Sequence, residues 1–315
     1  MIEVKGIGKT FQSGTRATTA LAPVDLRIED GEFVSFIGPS GCGKSTLLNM
    51  IAGIVAPSCG AIVHDGRTVA GPNTATGYMT QQDSLLPWRT AAANIALPLI
   101  LRGTPKAQVD ARVAEMLALV GLTNFGGHFP GELSGGMKKR VALAQILSYD
   151  PATLLMDEPF GALDAQLKLL MQGELMRIWE GARKTIVFVT HDLAEAITLS
   201  DRVVVFSSRP GRVKAIHTIE LLRPRDPLKI QFAPAYREVH QTLWDLLAPE
   251  IEISRAEAFA CAPIRCASNI PPRPPRRSRR RSAPAAGRST ISRSAPGRSP
   301  SAWPCCSSGM SSPAA

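Results

Sequence analysis

Gly38-Pro39-Ser40-Gly41-Cys42-Gly43-Lys44-Ser45 is the stretch from which the rest of this chain is read. Its glycines and closing Lys-Ser match the eight-residue P-loop pattern, a backbone cradle for phosphate groups that requires a strand before it and a helix after it. Both flanks comply: Glu32-Phe33-Val34-Ser35-Phe36-Ile37 is a short apolar run of strand length, and Thr46 to Ala52 continues without a breaker until Gly53. In such a loop glycines let backbone N–H groups turn inward around the phosphates, and the helix start adds partial positive charge. Gly38, Pro39, Ser40, Gly41, Cys42 and Gly43 are thereby assigned to the cradle, Cys42 through its backbone. Lys44 reaches the terminal phosphates, Ser45 ligates Mg²⁺, and Thr46 stands beside them in the first helical turn.

The surrounding pattern is that of an α/β domain. Residues 2–7 and 24–29 alternate apolar and polar, as half-buried antiparallel strands do. Thr153-Leu154-Leu155-Met156 and Thr185-Ile186-Val187-Phe188-Val189 are continuous apolar runs, the signature of central parallel strands covered on both faces. Val203 to Phe206 is a further strand candidate, and 212–219 alternates again. Residues 106–120 set Val109, Val113, Met116, Leu117 and Val120 at three- and four-residue steps, an amphipathic helix ending at Gly121. The predicted architecture is an α/β core with an antiparallel β edge and a helical insertion between about 84 and 150, without internal repeats.

A phosphate cradle needs a second element to hold a metal and ready a water. Leu154-Leu155-Met156-Asp157-Glu158 places two adjacent carboxylates at the end of an apolar strand, whose burial fixes their direction. Asp157 suits Mg²⁺, directly or through water. Glu158, pointing the other way, suits the attacking water as general base, a role worth about 10²–10⁴ in rate.

Leu133-Ser134-Gly135-Gly136-Met137 resembles the LSGGQ signature of ATP-binding cassette (ABC) ATPases, and with the P-loop upstream the chain is identified as a member of that family over about residues 1–250. Met137 departs from the commonest glutamine in a way familiar in the subgroup discussed below. The resemblance implies a P-loop NTPase fold with a RecA-like α/β core and a helical subdomain, binding of ATP and Mg²⁺, and ATP hydrolysis. It implies that Ser134, Gly135 and Gly136 meet the γ-phosphate bound by the opposite subunit. Phe11 matches the aromatic that stacks on adenine, worth about 1–3 kcal/mol by analogy with base stacking, the alternative being an ordinary core phenylalanine. Gln81, closing Gly77-Tyr78-Met79-Thr80-Gln81, matches the glutamine that senses Mg²⁺ and the water; Gln82 is its adjacent decoy. Asp164, closing Gly161-Ala162-Leu163-Asp164, resembles the loop that crosses the dimer axis, and His191, after the strand 185–189, matches the histidine that contacts the γ-phosphate.

One P-loop and one signature motif serve opposite sides of one nucleotide, so one chain does not complete a site. A head-to-tail pair, with Lys44 of one subunit facing Ser134 of the other, completes two sites symmetrically. ATP then acts as glue, hydrolysis as release, and the stroke is delivered to an integral membrane permease. Leu85-Leu86-Pro87-Trp88-Arg89, Pro159-Phe160-Gly161-Ala162-Leu163-Asp164 and the late Arg209-Pro210-Gly211 resemble the nitrate/sulfonate/taurine import ATPases, in which a periplasmic solute-binding protein feeds the permease. An ATPase subunit does not touch the cargo, so taurine, alkanesulfonates, nitrate, cyanate and a pyrimidine precursor all stay open. Trp88 carries two readings, a permease contact or a core residue of the helical insertion.

Chromosome and repair ABC ATPases resemble split cassettes with a long coiled coil between P-loop and signature, whereas no heptads lie between Lys44 and Ser134. Translation-associated ABC proteins usually carry two cassettes. Intact Lys44, Asp157, Glu158 and His191 argue against a decayed scaffold, and exporter cassettes are frequently fused to their membrane domain.

Of the net charge of +10, nine positive charges belong to arginines within residues 271–315, which contain no Lys, Asp or Glu, leaving +1 for the first 270 residues. Specific nucleic-acid binding is therefore not expected of the body of the chain. In that tail 39 of 45 residues are Arg, Pro, Ser, Ala or Gly, a mixture too poor in large apolar groups to offset chain entropy, so disorder is expected. It is either an arginine-rich arm for anionic surfaces or a segment without specific work, such as an altered reading frame. Residues 251–270 form a short extension before it. Cysteines at 42, 59, 261, 266, 305 and 306 are scattered, and no leader or long apolar run is present. The expected compartment is reducing, at the cytoplasmic face of the inner membrane, with peripheral attachment.

Overall fold

The computed structural model describes residues 1–260 apart from Thr15, Asp83 and Ala162; the expected extension from 261 and the tail 271–315 lie outside the described residues. In chain order the elements are β1 (Ile2–Ser13), β2 (Arg16–Ile28), β3 (Phe33–Ile37), α1 (Lys44–Ile51), β4 (Cys59–His64), β5 (Arg67–Thr68) and β6 (Thr76–Met79). The helices α2 (Ala91–Leu101), α3 (Lys106–Leu119) and α4 (Gly135–Ser148) follow. The chain then runs through β7 (Thr153–Asp157), α5 (Ala165–Ala182), β8 (Thr185–Val189), α6 (Leu193–Leu199), β9 (Arg202–Phe206), β10 (Val213–Thr218) and α7 (Pro234–Ala260). The last helix continues past residue 250, where the sequence reading ended the cassette.

Two sheets organise these elements. A six-stranded sheet has the order β10-β9-β3-β8-β7-β6, parallel except for the edge strand β10. A separate antiparallel sheet, β2-β1-β4-β5, holds the strands read from the alternating segments. β3, β7 and β8 are buried at every residue, which is why their sequences are continuous apolar runs instead of alternating ones. Along β7, Leu154 and Met156 enter one core together with Phe33, Phe188, Trp179 and the helices α2 to α4, whereas Leu155 enters a second core with Val187, Phe36, α1 and the antiparallel sheet. A third cluster joins Val203 and Val205 to α6 and α7.

β1 runs beyond residue 7, the end predicted for it, because register shifts after Val4, Ile7 and Lys9 interrupt strict alternation without ending the pairing. β4 and β5 were not anticipated. They form a hairpin over Asp65-Gly66, whose φ values of 50° and 75° are those of the tight turn that Asp-Gly favours. Among the described residues no helix is long and apolar enough to cross a membrane.

The end of α6 is secured by Arg225, a buried guanidinium that donates to the carbonyls of Ile197, Thr198, Ser200, Ile219 and Leu221. Burial, reinforced by the charge of Arg223, lowers its pKa to about 10, so it remains charged at neutral pH. Arg225→Leu leaves these carbonyls without their donor and is expected to cost about 3–5 kcal/mol, read as a fall in the urea midpoint at unchanged m-value.

Candidate functional site

The loops that carry Lys44, Gln81, Glu158, His191 and Arg209 leave the carboxyl ends of the parallel strands β3, β6, β7, β8 and β9, the position at which α/β sheets bind ligands, whereas Ser134 follows a short 3-10 turn before α4 and Phe11 lies on the antiparallel strand β1. The loop after β3 turns through Gly43 at φ 98°, where a Cβ would stand 2.8 Å from the Ala20 carbonyl oxygen, so side chains larger than glycine are excluded. α2, α4, α5 and α6 begin with Thr90, Ser134, Asp164 and Asp192, whose side chains accept backbone N–H groups of the first turn. α1 begins at Gly43 without a side-chain cap, so its first donors remain available for an anion.

Phe11, Thr18, Ala20, Ser40, Gly41, Gly43, Lys44, Ser45, Thr46, Gln81, Glu158 and Arg209 line one cleft of about 380 Å³, within the range of nucleotide-sized sites. The Lys44 ammonium donates to the Gly38 and Pro39 carbonyls at 2.8 and 2.9 Å, which places those residues and buried Cys42 behind the cradle. Ser45 Oγ donates to Asp157 Oδ1 at 3.0 Å, joining the P-loop to the end of β7. Burial pushes the Asp157 carboxyl above its ordinary value. The Ser45 hydrogen bond opposes this, the charge of Glu158 adds to it, and Lys44 and Lys139 pull downward. A hydroxyl beside a buried carboxylate is an oxygen pair of the kind hard cations take.

Glu158 lies between two of the other predicted residues. Its Oε2 accepts from Gln81 Nε2 at 3.2 Å, and its Oε1 stands 3.4 Å from His191 Nδ1. Its backbone has φ 49°, a left-handed conformation in a non-glycine residue, held by donation of its N–H to the Val189 carbonyl at 2.9 Å. Gln81, in turn, is fixed from the signature helix, because Lys139 of α4 donates to the carbonyls of Thr80 and Gln81.

Ser134, Gly135, Gly136 and Asp164 are not among the residues lining this cleft. Ser134 caps α4, its Oγ accepting from Met137 at 3.3 Å, and Asp164 caps α5, its Oδ1 accepting from Leu167 at 3.0 Å. Sequence reasoning missed Lys139 and Arg209, whose contacts span 58 and 168 residues. In the sequence Arg209-Pro210-Gly211 marks only a subgroup, and no local pattern links it to the P-loop. A hollow of about 570 Å³ along His64–Ala75 shares no residue with the cleft and holds no such set of groups.

Fold and cleft together define a P-loop nucleoside triphosphatase cassette. Residues 21–161 match the family described as ABC transporter. The aliphatic sulfonates import ATP-binding protein of Bacillus cereus is 41% identical over 240 residues, 76% of this chain and 94% of that protein. The taurine import ATP-binding protein of Rhizobium johnstonii is 44% identical over 236 residues, 74% of this chain and 90% of that protein. A solved dimeric ATP-binding cassette, in a post-hydrolysis state bound to ADP and Pi, superposes with a TM-score of 0.66 at 33% identity, covering 70% of this chain and 100% of that one. The chain belongs to the ABC transporter family and is an ATP-hydrolysing cassette of it.

Phe11 lines the cleft and is 44% exposed, with the Lys9 ammonium 5.1 Å from its ring centroid. Phe11→Ala is expected to weaken ATP binding by about 5- to 150-fold, the range of one base-stacking contact, with little change in melting temperature. Titration with a fluorescent ATP analogue, set beside thermal unfolding, measures both.

Proposed function

We propose that this chain is the motor subunit of an importer, hydrolysing ATP on Mg²⁺ at the cytoplasmic face of the inner membrane to drive a small anion of the nitrate, sulfonate or taurine class through a separate permease. The observation that carries the reading is that Lys44, Ser45, Glu158 and Gln81 share one cleft while Ser134, Gly135 and Gly136 of the same chain do not line it. The cassette works as a head-to-tail homodimer, each cleft closed by the partner's α4 start, whose free N–H groups receive the γ-phosphate. The likeness to the sulfonate and taurine import proteins supports import and the anion class, and a periplasmic binding protein is the expected source of cargo for such a permease.

Each residue has a distinct task. The P-loop amides and Lys44 hold the β- and γ-phosphates, and Phe11 stacks on adenine. Ser45, Asp157 and Gln81 would hold Mg²⁺, which when bound would neutralise phosphate charge. Glu158 accepts the proton of the attacking water, with Gln81 on one of its oxygens and His191 beside the other; His191 is assigned to the γ-phosphate. Asp164 starts the helix after the loop that meets the twin.

Glu158→Gln is expected to cut the hydrolysis rate by at least about 10²-fold while ATP binding persists, so that Mg·ATP drives the variant into a stable dimer visible by light scattering. A variant that stays monomeric with saturating nucleotide contradicts the two-half-site reading. Trp88, of which 71% is exposed beside the Gln81 loop, is assigned to the permease contact instead of the core. Trp88→Ala is expected to reduce capture of the permease at least about tenfold with unchanged ATP affinity; equal loss of both measures a folding defect.

A further inference from the structure

Arg209 sits at the mouth of the cleft, where it lines the same space as Ser40, Gly41 and Lys44. Its Nε and Nη2 both donate to the Gly41 carbonyl oxygen, at 3.2 and 3.1 Å. The strap that carries it is pinned to its surroundings. Gly211 N–H donates to the Ala20 carbonyl at 3.2 Å, and the Gly211 carbonyl accepts from Ala22 N–H at 3.0 Å, which ties the strap to β2. Gly211 lies so close beneath the P-loop that a Cβ there would stand 1.8 Å from the Cys42 carbonyl oxygen. On the other side Ser208 N–H donates to Glu250 Oε2 at 2.8 Å, while Lys214 holds Glu250 Oε1 at 2.8 Å. The guanidinium is therefore presented to Gly41 from a fixed base.

A phosphate cradle works through N–H donors, and an exposed carbonyl oxygen at its mouth is a partial negative charge that repels the ligand. Gly41, at φ 77°, has the backbone freedom to turn that oxygen several ways. Two N–H groups of one planar guanidinium on the same oxygen lock its direction, neutralise its repulsion and bring a full positive charge to the place where the polyphosphate enters.

We propose that Arg209 is a positioning residue of the nucleotide site: by holding the Gly41 carbonyl it keeps the P-loop in its anion-accepting form and sets the affinity for triphosphate, without entering the chemical step. The proposal rests on the reading of this cleft as the ATP site. Its test uses the full chain as wild type, Arg209→Ala, Arg209→Lys and, as a reference, Lys44→Ala, with Mg·ATP as the probe.

Arg209→Ala is expected to raise both Kd and KM for ATP about tenfold, the loss typical of charge-assisted hydrogen bonds, while kcat at saturation falls less than about twofold and the melting temperature is retained. The gap from wild type narrows as salt is raised, because part of the effect is a surface charge. Arg209→Lys recovers less than half of the loss in binding free energy, since an ammonium lacks the planar fork. Unchanged Kd and KM in Arg209→Ala, with binding lost in Lys44→Ala, overturn the role of Arg209 and leave the ATP site standing. Unchanged binding in both variants overturns the reading of the cleft itself. A fall in melting temperature that accounts for the lost binding, or a fall in kcat at unchanged KM, also overturns the proposal, by making the strap a fold staple or Arg209 a participant in the reaction.

Discussion

The hydrogen bond from Ser45 to Asp157 joins the start of α1, which follows β3, to the end of β7, with β8 between those strands in the sheet. Its length depends on where β3 and β7 end, and those ends are set by burial on both faces. A residue moved by one position along β7 would exchange Leu155 for Met156 between two cores, so the strand cannot slide without emptying one core and crowding the other. The double-sided core is thus what fixes Asp157 at the end of β7, while Glu158 leaves the strand in a left-handed conformation held by its N–H bond to the Val189 carbonyl. The contacts of Gln81 and His191 with Glu158 meet at the residue that follows this strand end.

Helix capping sets the starts of α2, α4, α5 and α6 apart from that of α1, which follows the phosphate cradle and is left open; α3, which starts after Pro105, also has no side-chain cap. Four helices close their first turns with their own Thr, Ser or Asp side chains. α1 has glycine there instead, and the cost of leaving donors open is borne where a phosphate would satisfy them. At α4 the capping Ser134 uses its hydroxyl on Met137, yet the glycines that follow bring no side chains over the remaining N–H groups. The same helix reaches back through Lys139 to the Gln81 backbone, so the signature segment and the Gln81 loop are mechanically one piece.

Much of this was legible in the sequence because its causes are local. The P-loop is defined by backbone freedom at fixed spacing, and the central strands by apolar runs that only two-sided burial explains. The pair Asp157-Glu158 followed from its place at the end of such a run. What escaped had causes elsewhere in the chain: bulges let β1 run on past Ile7, and Arg209 earns its place through a contact with Gly41 that no window around either residue contains. The Asp65-Gly66 hairpin is readable in principle from its dipeptide, but its second strand is too short to mark it by alternation. For Phe11 and Trp88 the residue type allowed both core and surface, and exposures of 44% and 71% decide for surface.

The left-handed backbone at Glu158 has a further consequence for how this chain responds to selection. A carboxylate-bearing residue at φ 49° stores conformational energy of order 1 kcal/mol that glycine at the same position would not. With Glu158 as the proposed general base, robustness and catalysis are in conflict at a single residue. A lineage, or a laboratory library, screened only for resistance to heat would be drawn toward discarding the acid at the centre of its own cleft, and would gain a sturdier protein that has forgotten its reaction.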